Sequence, residues 1–428
     1  IHGKIVTGGL LIKDIMVGNA LVDMYMKCGL LQKARKVFEE LPVRDVVSWN
    51  ALITGYSSQL EGEAREALNC YEQMRREGIR PDAITFICIL KACGKVRAID
   101  EGEQIHDEIV GRGLLEKDVM VGATLVDMYA KCGMLLKAQN VLEQLPIRNV
   151  VSWSALIVGY VEQGRSHEAL NHFAQMKIEG LFPDAVIFIC ILRACGCTGD
   201  IDKGKEIHER IESRGLLETD VALGTALVDM YAKCGMLAKA RQVLDALPVR
   251  NVASWSAVIT GHIQEGEGHE ALNCFEQMQN EGLSPDEIAF LSVLNACTHS
   301  GKMNEAQTYY ESMSKNYGMI PTVEHHTCIV VVFACSGDFE KAMSIIRTLP
   351  SSDHPQVWIA LLNACTRWGN VSLGKTAFDQ AMQLDSNLSA PYVIMANMYA
   401  VAGMGEKANE IKAMRIKHAA WKKFASNL

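Results

Sequence analysis

Along residues 150–184 the apolar side chains fall at helical spacing. Trp153, Leu156, Ile157 and Tyr160 recur at i, i+3, i+4 and i+7, which predicts one amphipathic helix. Gly164 breaks it, and Ala169, Leu170, Phe173 and Met176 carry the pattern into a second helix. Gly180 and Pro183 end that one, as a glycine just past the last turn followed by a proline does.

The same pattern returns along the chain. LVDMY begins at Leu21, Leu125 and Leu227, separations of 104 and 102 residues. VSWNALITGY from Val47 reappears as VSWSALIVGY from Val151 and ASWSAVITGH from Ala253. FICILKACG from Phe86 reappears as FICILRACG from Phe188 and, more loosely, as FLSVLNACT from Phe290. Cut after the recurrent Asp or Asn, the units run 15–45, 46–82, 83–118, 119–149, 150–184, 185–220, 221–251, 252–286, 287–322 and 323–353. Their lengths cycle through 31, then 35 (37 in the first copy), then 36; the extra pair lies in SSQLEGEAREAL. One helix pair of this size cannot bury its own apolar face, but stacked neighbours can. The expected fold is all-α: a right-handed superhelical solenoid of stacked antiparallel helix pairs. Length here counts repeats, not domains.

Composition narrows the function. Hydrophobic residues make up 49% and charged residues 21% of the 428, which excludes a disordered or collagen-like chain, and only ten prolines interrupt the helices. No apolar run is longer than that from Cys328 to Cys335, which is far shorter than the ~18 residues of a membrane-spanning helix, so no membrane partner is expected. The net charge of −8 disfavours non-specific binding to nucleic acid and leaves room only for a local basic stripe. None of the 14 cysteines forms a C-x-x-C pair, so the zinc-ribbon pattern fails. Eight of them close repeated phrases, at Cys28, Cys132, Cys234, Cys93, Cys195, Cys297, Cys335 and Cys365, and read as small packing residues on apolar faces in a reducing compartment.

The alternation of VSWNALITGY…EALNCYEQMRREGIRPD, TFICILKACG…GEQIH and VGNALVDMYMKCG…ARKVFEELPVRD resembles the plant pentatricopeptide repeat proteins. More narrowly it is similar to their three-motif subclass, in which long, short and standard repeats rotate. Residues 1–14 look like the end of a partial long repeat, so the chain is expected to begin inside the array, with any targeting segment outside it. Residues 354–387 resemble the first extension motif of that subclass and 388–423 the second, leaving a tail at 424–428. The resemblance implies a specificity factor for organellar cytidine-to-uridine RNA editing, in a mitochondrion ahead of a chloroplast. A deaminase domain often follows such motifs, but WKKFASNL stands where it would open. That activity is expected in cis beyond this chain or in trans, through editing-complex partners of the extension motifs.

A zinc deaminase needs His-x-Glu followed by Pro-Cys-x-x-Cys. His106-Asp107-Glu108 fits the first half by letter, yet its counterpart in the next long repeat is His208-Glu209-Arg210 and no C-x-x-C completes it. With no Walker loop, Rossmann fingerprint or G-x-S-x-G elbow either, no catalytic residue, metal or cofactor is expected in this chain.

Recognition is where the repeats differ. In the family, the fifth and last residues of a repeat address one base and the second residue packs against it, one base per repeat. The resemblance makes Asn19 with Asp45, and Asn50 with Asp82, uridine-preferring pairs. Ser154 with Asp184 and Ser256 with Asp286 imply guanosine, and Thr225 with Asn251 adenosine. Ala123 with Asn149 offers little to bond with, and Ile87, Ile189 and Leu291 leave the long repeats mute or shape-sensing. Thr327 with Asp353 implies guanosine, although Glu324, at the second position, would repel a nearby phosphate. Met16, Val47, Met120, Val151, Ala222 and Ala253 are the base-packing residues. Lys27, Lys131 and Lys233, each preceding a repeated cysteine, are placed to approach phosphates. An opposing reading makes the polar residues helix caps and the lysines solvated helix ends.

The implied RNA is single-stranded 5′-UUnnGnAGnG-3′, with the edited cytidine about four nucleotides further 3′. Two other functions compete: an RNA binder that stabilises or processes a transcript without editing, and a protein-binding helical scaffold. The scaffold suits the acidity but does not explain why Asn, Ser and Thr vary at one repeat position inside nearly constant phrases.

Overall fold

The structure, a computed structural model, describes residues 14–59, 61–349 and 354–425. Among the described residues lie 24 α-helices and one 3₁₀ turn at Leu216–Glu218, and no strand. The chain divides into two compact units, Ile1–Arg210 and Ile211–Leu428.

In the first unit the leading helices of successive pairs are Ile15–Lys27, Val46–Ser58, Ala83–Val96, Val119–Lys131, Val150–Glu162 and Ala185–Thr198, and each packs beside the next. The second helices, such as Glu61–Arg76 and Ser166–Ile178, fold back on their own leading helices and form the other layer. The second unit repeats this with leading helices Val221–Lys233, Val252–Gln264, Glu287–Ser300, Val323–Cys335, Pro355–Trp368 and Ala390–Val401. The core lies between the two layers in each unit. Trp153, Leu156, Ile157 and Tyr160 are buried there against Ala169, Leu170, Phe173 and Met176, the residues whose spacing predicts the two helices. Gly164 turns the chain between them at φ +71°. Gly159 has a different duty: a Cβ placed on it would stand 2.7 Å from Ala130 Cβ, so its absence sets how closely neighbouring leading helices approach.

Trp153 and Trp255 are each anchored through the indole N–H. Each indole N–H donates to a glutamate, Trp153 to Glu179 at 2.8 Å and Trp255 to Glu281 at 3.0 Å. Those glutamates take Arg148 at 2.9 Å and Arg250 at 2.8 Å on their other oxygens. In the longer first copy, Arg44 reaches Glu77 at 3.0 Å, but the buried Trp49 indole N–H has no partner.

The cysteines divide. Cys93, Cys195, Cys297 and Cys365 are fully buried, and burial pushes the thiols of Cys93, Cys297 and Cys365 up to about 12. Cys28, Cys132 and Cys234 are not core residues, which corrects the packing reading for them. They are helix C-caps: Cys28 is exposed and the other two half-buried. Cys335 is also only half-buried.

The leading helices start in two ways. Asp45, Asp82, Asn149, Asp184, Asn251 and Asp286 cap with extended backbone, ψ between 169° and −176° through 180°, and accept from the third helical N–H. Asp14, Asp118 and Asp220 cap with ψ of 105°, 105° and 98°, and accept from the second helical N–H, Asp118 and Asp220 from the third as well. Asp118 and Asp220 close long repeats. Thr322, which closes the third long repeat, departs from them with ψ 175° and a capping box to His325.

Candidate functional site

The fifth and second positions share a face of each leading helix, three residues apart. The second residues Met16, Val47, Met120, Val151, Ala222 and Ala253 are all exposed. The fifth residues lie deeper: Asn19, Asn50, Ala123 and Ser256 are buried, and Ser154, Thr225 and Thr327 half-buried. Sequence reasoning left out Ile84, Val186 and Ile288, which occupy the second position in the long repeats and are 56%, 51% and 64% exposed. Their register alone could have found them.

The last residue of one repeat is the cap of the next leading helix, and that places it beside the fifth residue. Asn19 Nδ2 donates to Asp45 Oδ1 at 3.2 Å, and Asn50 Nδ2 to Asp82 Oδ1 at 3.0 Å. The same carboxylate oxygens accept the backbone N–H of Ser48 at 2.8 Å and of Thr85 at 2.9 Å. Burial raises the Asp45 and Asp82 pKa values, but the cap bonds and the asparagine amides outweigh it and hold both below the usual carboxylate range. An ionised carboxylate only accepts, so each asparagine amide must turn its nitrogen toward it. The freed carbonyl oxygens then differ. Asn50 Oδ1 accepts the Thr85 hydroxyl at 2.6 Å, whereas Asn19 Oδ1 is buried without a partner.

Thr225 and Asn251 form a third pair. Asn251 Oδ1 caps the Ser254 N–H at 2.8 Å, so its Nδ2 faces the Thr225 hydroxyl at 3.1 Å. That hydroxyl donates to the Val221 carbonyl at 3.0 Å. Asp184 and Asp286 cap Ile187 and Ala289, and among the described residues no hydrogen bond joins them to Ser154 or Ser256. Ser256 Oγ is buried and unpartnered. Asn149 caps Ser152 at 2.8 Å and finds only the Ala123 methyl at the fifth position. Asp353 lies outside the described residues, and the helix that follows is capped at His354.

The three lysines sit in the last turns of their helices, and each is paired one turn back. Lys27 meets Asp23, Lys131 meets Asp127 and Lys233 meets Asp229, all at 2.7 Å. Such exposed i, i+4 pairs are worth about 0.3–0.5 kcal/mol and exchange readily. His106 faces the Tyr129 hydroxyl at 2.8 Å, and the buried Trp49, Trp153 and Trp255 belong to the core. Among the described residues no group of three His, Cys, Asp or Glu side chains is placed to hold a metal ion, and no helix is long and apolar enough to cross a membrane.

Comparison with known proteins bears on the repeats and the fold. Residues 44–95, 148–197 and 250–299 match the PPR repeat family, and residues 19–46, 124–150, 186–216, 225–252 and 288–317 match the PPR repeat. A mitochondrial pentatricopeptide repeat-containing protein of Arabidopsis thaliana is 36% identical over 412 residues, 96% of this chain and 73% of that protein. A second Arabidopsis thaliana protein of the same description is 36% identical over 403 residues, 94% of this chain and 71% of that one. Several other relatives are longer still: in one, this chain spans 50% of the length. The crystal structure of the pentatricopeptide repeat protein PPR10 in complex with an 18-nt psaJ RNA element superposes with a TM-score of 0.77 at 17% identity, covering 95% of this chain and 61% of that one. That likeness shows the superhelical repeat fold.

Proposed function

Since this chain belongs to the pentatricopeptide repeat family, we propose that it binds single-stranded RNA by sequence, one base per repeat. We further propose that it serves as a specificity factor for organellar cytidine-to-uridine editing. The observation that carries the reading is where the unpaired atoms lie. Among the described residues three buried side-chain polar atoms lack a partner, and two of them, Asn19 Oδ1 and Ser256 Oγ, are at the fifth position. Leaving such an atom unpaired costs about 1–3 kcal/mol, so it calls for a reason, and a base edge supplies one. The Asn19 carbonyl accepts from uracil N3–H while the second Nδ2 proton faces O4. The exposed second residues give each base an apolar wall.

The cap geometry supports silence in two of the long repeats. There the fifth residue is Ile87 or Ile189, and the closing carboxylate of Asp118 or Asp220 is occupied by both the second and the third helical N–H. PPR10 carries RNA in its crystal structure, which favours RNA over a protein ligand for the same fold. The editing role rests on the resemblance of the pairs from Pro355–Trp368 to Gly405–Ala425 to extension motifs, with a deaminase supplied by a longer form of the protein or by a partner. Several relatives are mitochondrial by name, which favours that organelle.

The test is a binding selection of the purified chain against random single-stranded RNA. Enrichment of 5′-UUnnGnAGnG-3′ is the expected result. Enrichment of unrelated sequences, or none, rejects the reading.

A further inference from the structure

A pocket of about 540 Å³ lies along the line of second and fifth positions, where the last repeat meets the first extension motif. Leu291, Val323 and Cys328 give it apolar walls, and Asn295, Glu324, Thr327, His354 and Gln356 supply its polar groups. Glu324 stands where other repeats show an exposed apolar side chain. Its Oε2 accepts the Thr322 hydroxyl at 2.7 Å; that bond, with His325 and His354 nearby, holds the carboxyl below its usual range. Two of the other lining groups are already engaged. Thr327 donates to the Val323 carbonyl at 2.8 Å, and the Cys328 thiol, which burial pushes up to about 11, faces Asn295 Oδ1 at 3.2 Å.

An ionised carboxylate can only accept, and it does so best from two parallel N–H groups. Guanine alone among the four bases shows two adjacent donors, N1–H and the N2 amine, on its Watson–Crick edge. Adenine, cytosine and uracil each set an acceptor beside a donor. Resting on the RNA-reading function above, we propose that Glu324 selects a guanine at the 3′ end of the bound RNA, through a bidentate carboxylate contact. The base specificity of this repeat then resides at its second position, where elsewhere the side chain only packs. An arginine of a protein partner presents a similar pair of donors, but the pocket stands in the register of the base-facing residues, which favours RNA.

The full chain, as wild type and as Glu324→Gln, is titrated by fluorescence anisotropy against RNAs with each base at the position facing residues 323–353. Inosine and 2-aminopurine extend the series, since inosine lacks the N2 amine and 2-aminopurine the N1 proton. Wild type is expected to prefer guanine by about ten-fold or more, as a good bidentate pair gives. Inosine and 2-aminopurine should each lose most of that, and Glu324→Gln should bind guanine and inosine alike. Glu324 is exposed, so the substitution spares the fold, which circular dichroism checks. A guanine preference that survives Glu324→Gln overturns the inference. Equal binding of all four bases here, beside discrimination at other repeats, overturns it alone and leaves the carboxylate to a partner's arginine. Failure to bind any of the RNAs overturns the proposed function as well.

Discussion

The side-chain amide of Asn50 donates to the carboxylate of Asp82 at 3.0 Å across 32 positions of sequence. Asp82 is at the same time the N-cap of the helix Ala83–Val96. One residue therefore starts a helix and, in the proposed function, helps read a base. This limits what the last position of a repeat can be. Asp and Asn both cap through one oxygen with similar strength, and exchanging them leaves the cap bond in place. Every described closing residue of a proposed base-reading pair is one of the two: Asp45, Asp82, Asn149, Asp184, Asn251 or Asp286.

That freedom makes the code testable without unfolding the chain. Changing Thr225→Asn together with Asn251→Asp recreates the Asn19–Asp45 arrangement, with Ser254 in the place of Ser48, and should convert that repeat from adenosine to uridine preference. The expected discrimination is about 1–3 kcal/mol, confined to one base. Titration against RNAs differing only there decides the matter. Equal weakening toward both RNAs would assign residues 225 and 251 to helix capping alone.

Lys131 should act on every RNA alike. Lys131→Ala is expected to weaken all sequences about equally and to reduce the slope of log affinity against log salt by about one. Because Asp127 holds the ammonium at 2.7 Å, Asp127→Asn should strengthen binding at low salt. Unchanged salt slopes in both variants would leave the lysine as a solvated helix end.

The tryptophans offer a stability test inside one chain. Trp153→Phe removes an indole bond to Glu179 and leaves that carboxylate short of a donor, while Trp49→Phe removes a buried donor that had no partner. Trp153→Phe should cost about 1–2 kcal/mol more than Trp49→Phe, by the difference between breaking a charged hydrogen bond and deleting an unmade one. Urea unfolding of the two variants measures it, and equal losses would contradict the account.

Acid should loosen the fold through three histidines. Burial lowers the pKa values of His106, His172 and His326 below the ordinary 6.5, against which nearby carboxylates only partly restore His106 and His172. A lowered folded-state pKa contributes stability that is present above the unfolded value and lost as pH falls through the folded one. The thermal midpoint should therefore hold above pH ~6.5 and drop steadily below it. Asp45 and Asp82 act in the same sense only at lower pH, within the carboxylate range. His106→Gln should shallow the histidine segment, and a midpoint unchanged below pH ~6.5 would exclude the mechanism.

Helix pairing was legible because one apolar stripe recurs ten times, and a stripe at i, i+3, i+4, i+7 has one solution. The site was legible only as positions. The letters N and D at residues 50 and 82 do not say that the two touch, nor that Thr85 claims the asparagine oxygen while Asn19 keeps its own free. Those facts depend on the rotamer beside a cap. KCG misled for a similar reason: Cys28, Cys132 and Cys234 follow an apolar helix but sit past its end, where the stripe has already turned outward. His354, not Asp353, starts the helix Pro355–Trp368, because a proline at the first helical position sets the boundary one residue later than the repeat count.

The two cap geometries bear on how such a chain can change. Extended caps and turned caps alternate in a beat of three across 104 and then 102 residues, and a turned cap always introduces the LVDMY helix. A duplication of one long pair would set two turned caps and two apolar fifth residues side by side, and a duplication of either other pair would lengthen the interval between them. A duplication of three pairs preserves it. In a lineage of such chains the heritable word is the triplet, and under the proposed function its silent letter would let the target drift at every third base without loss of fit.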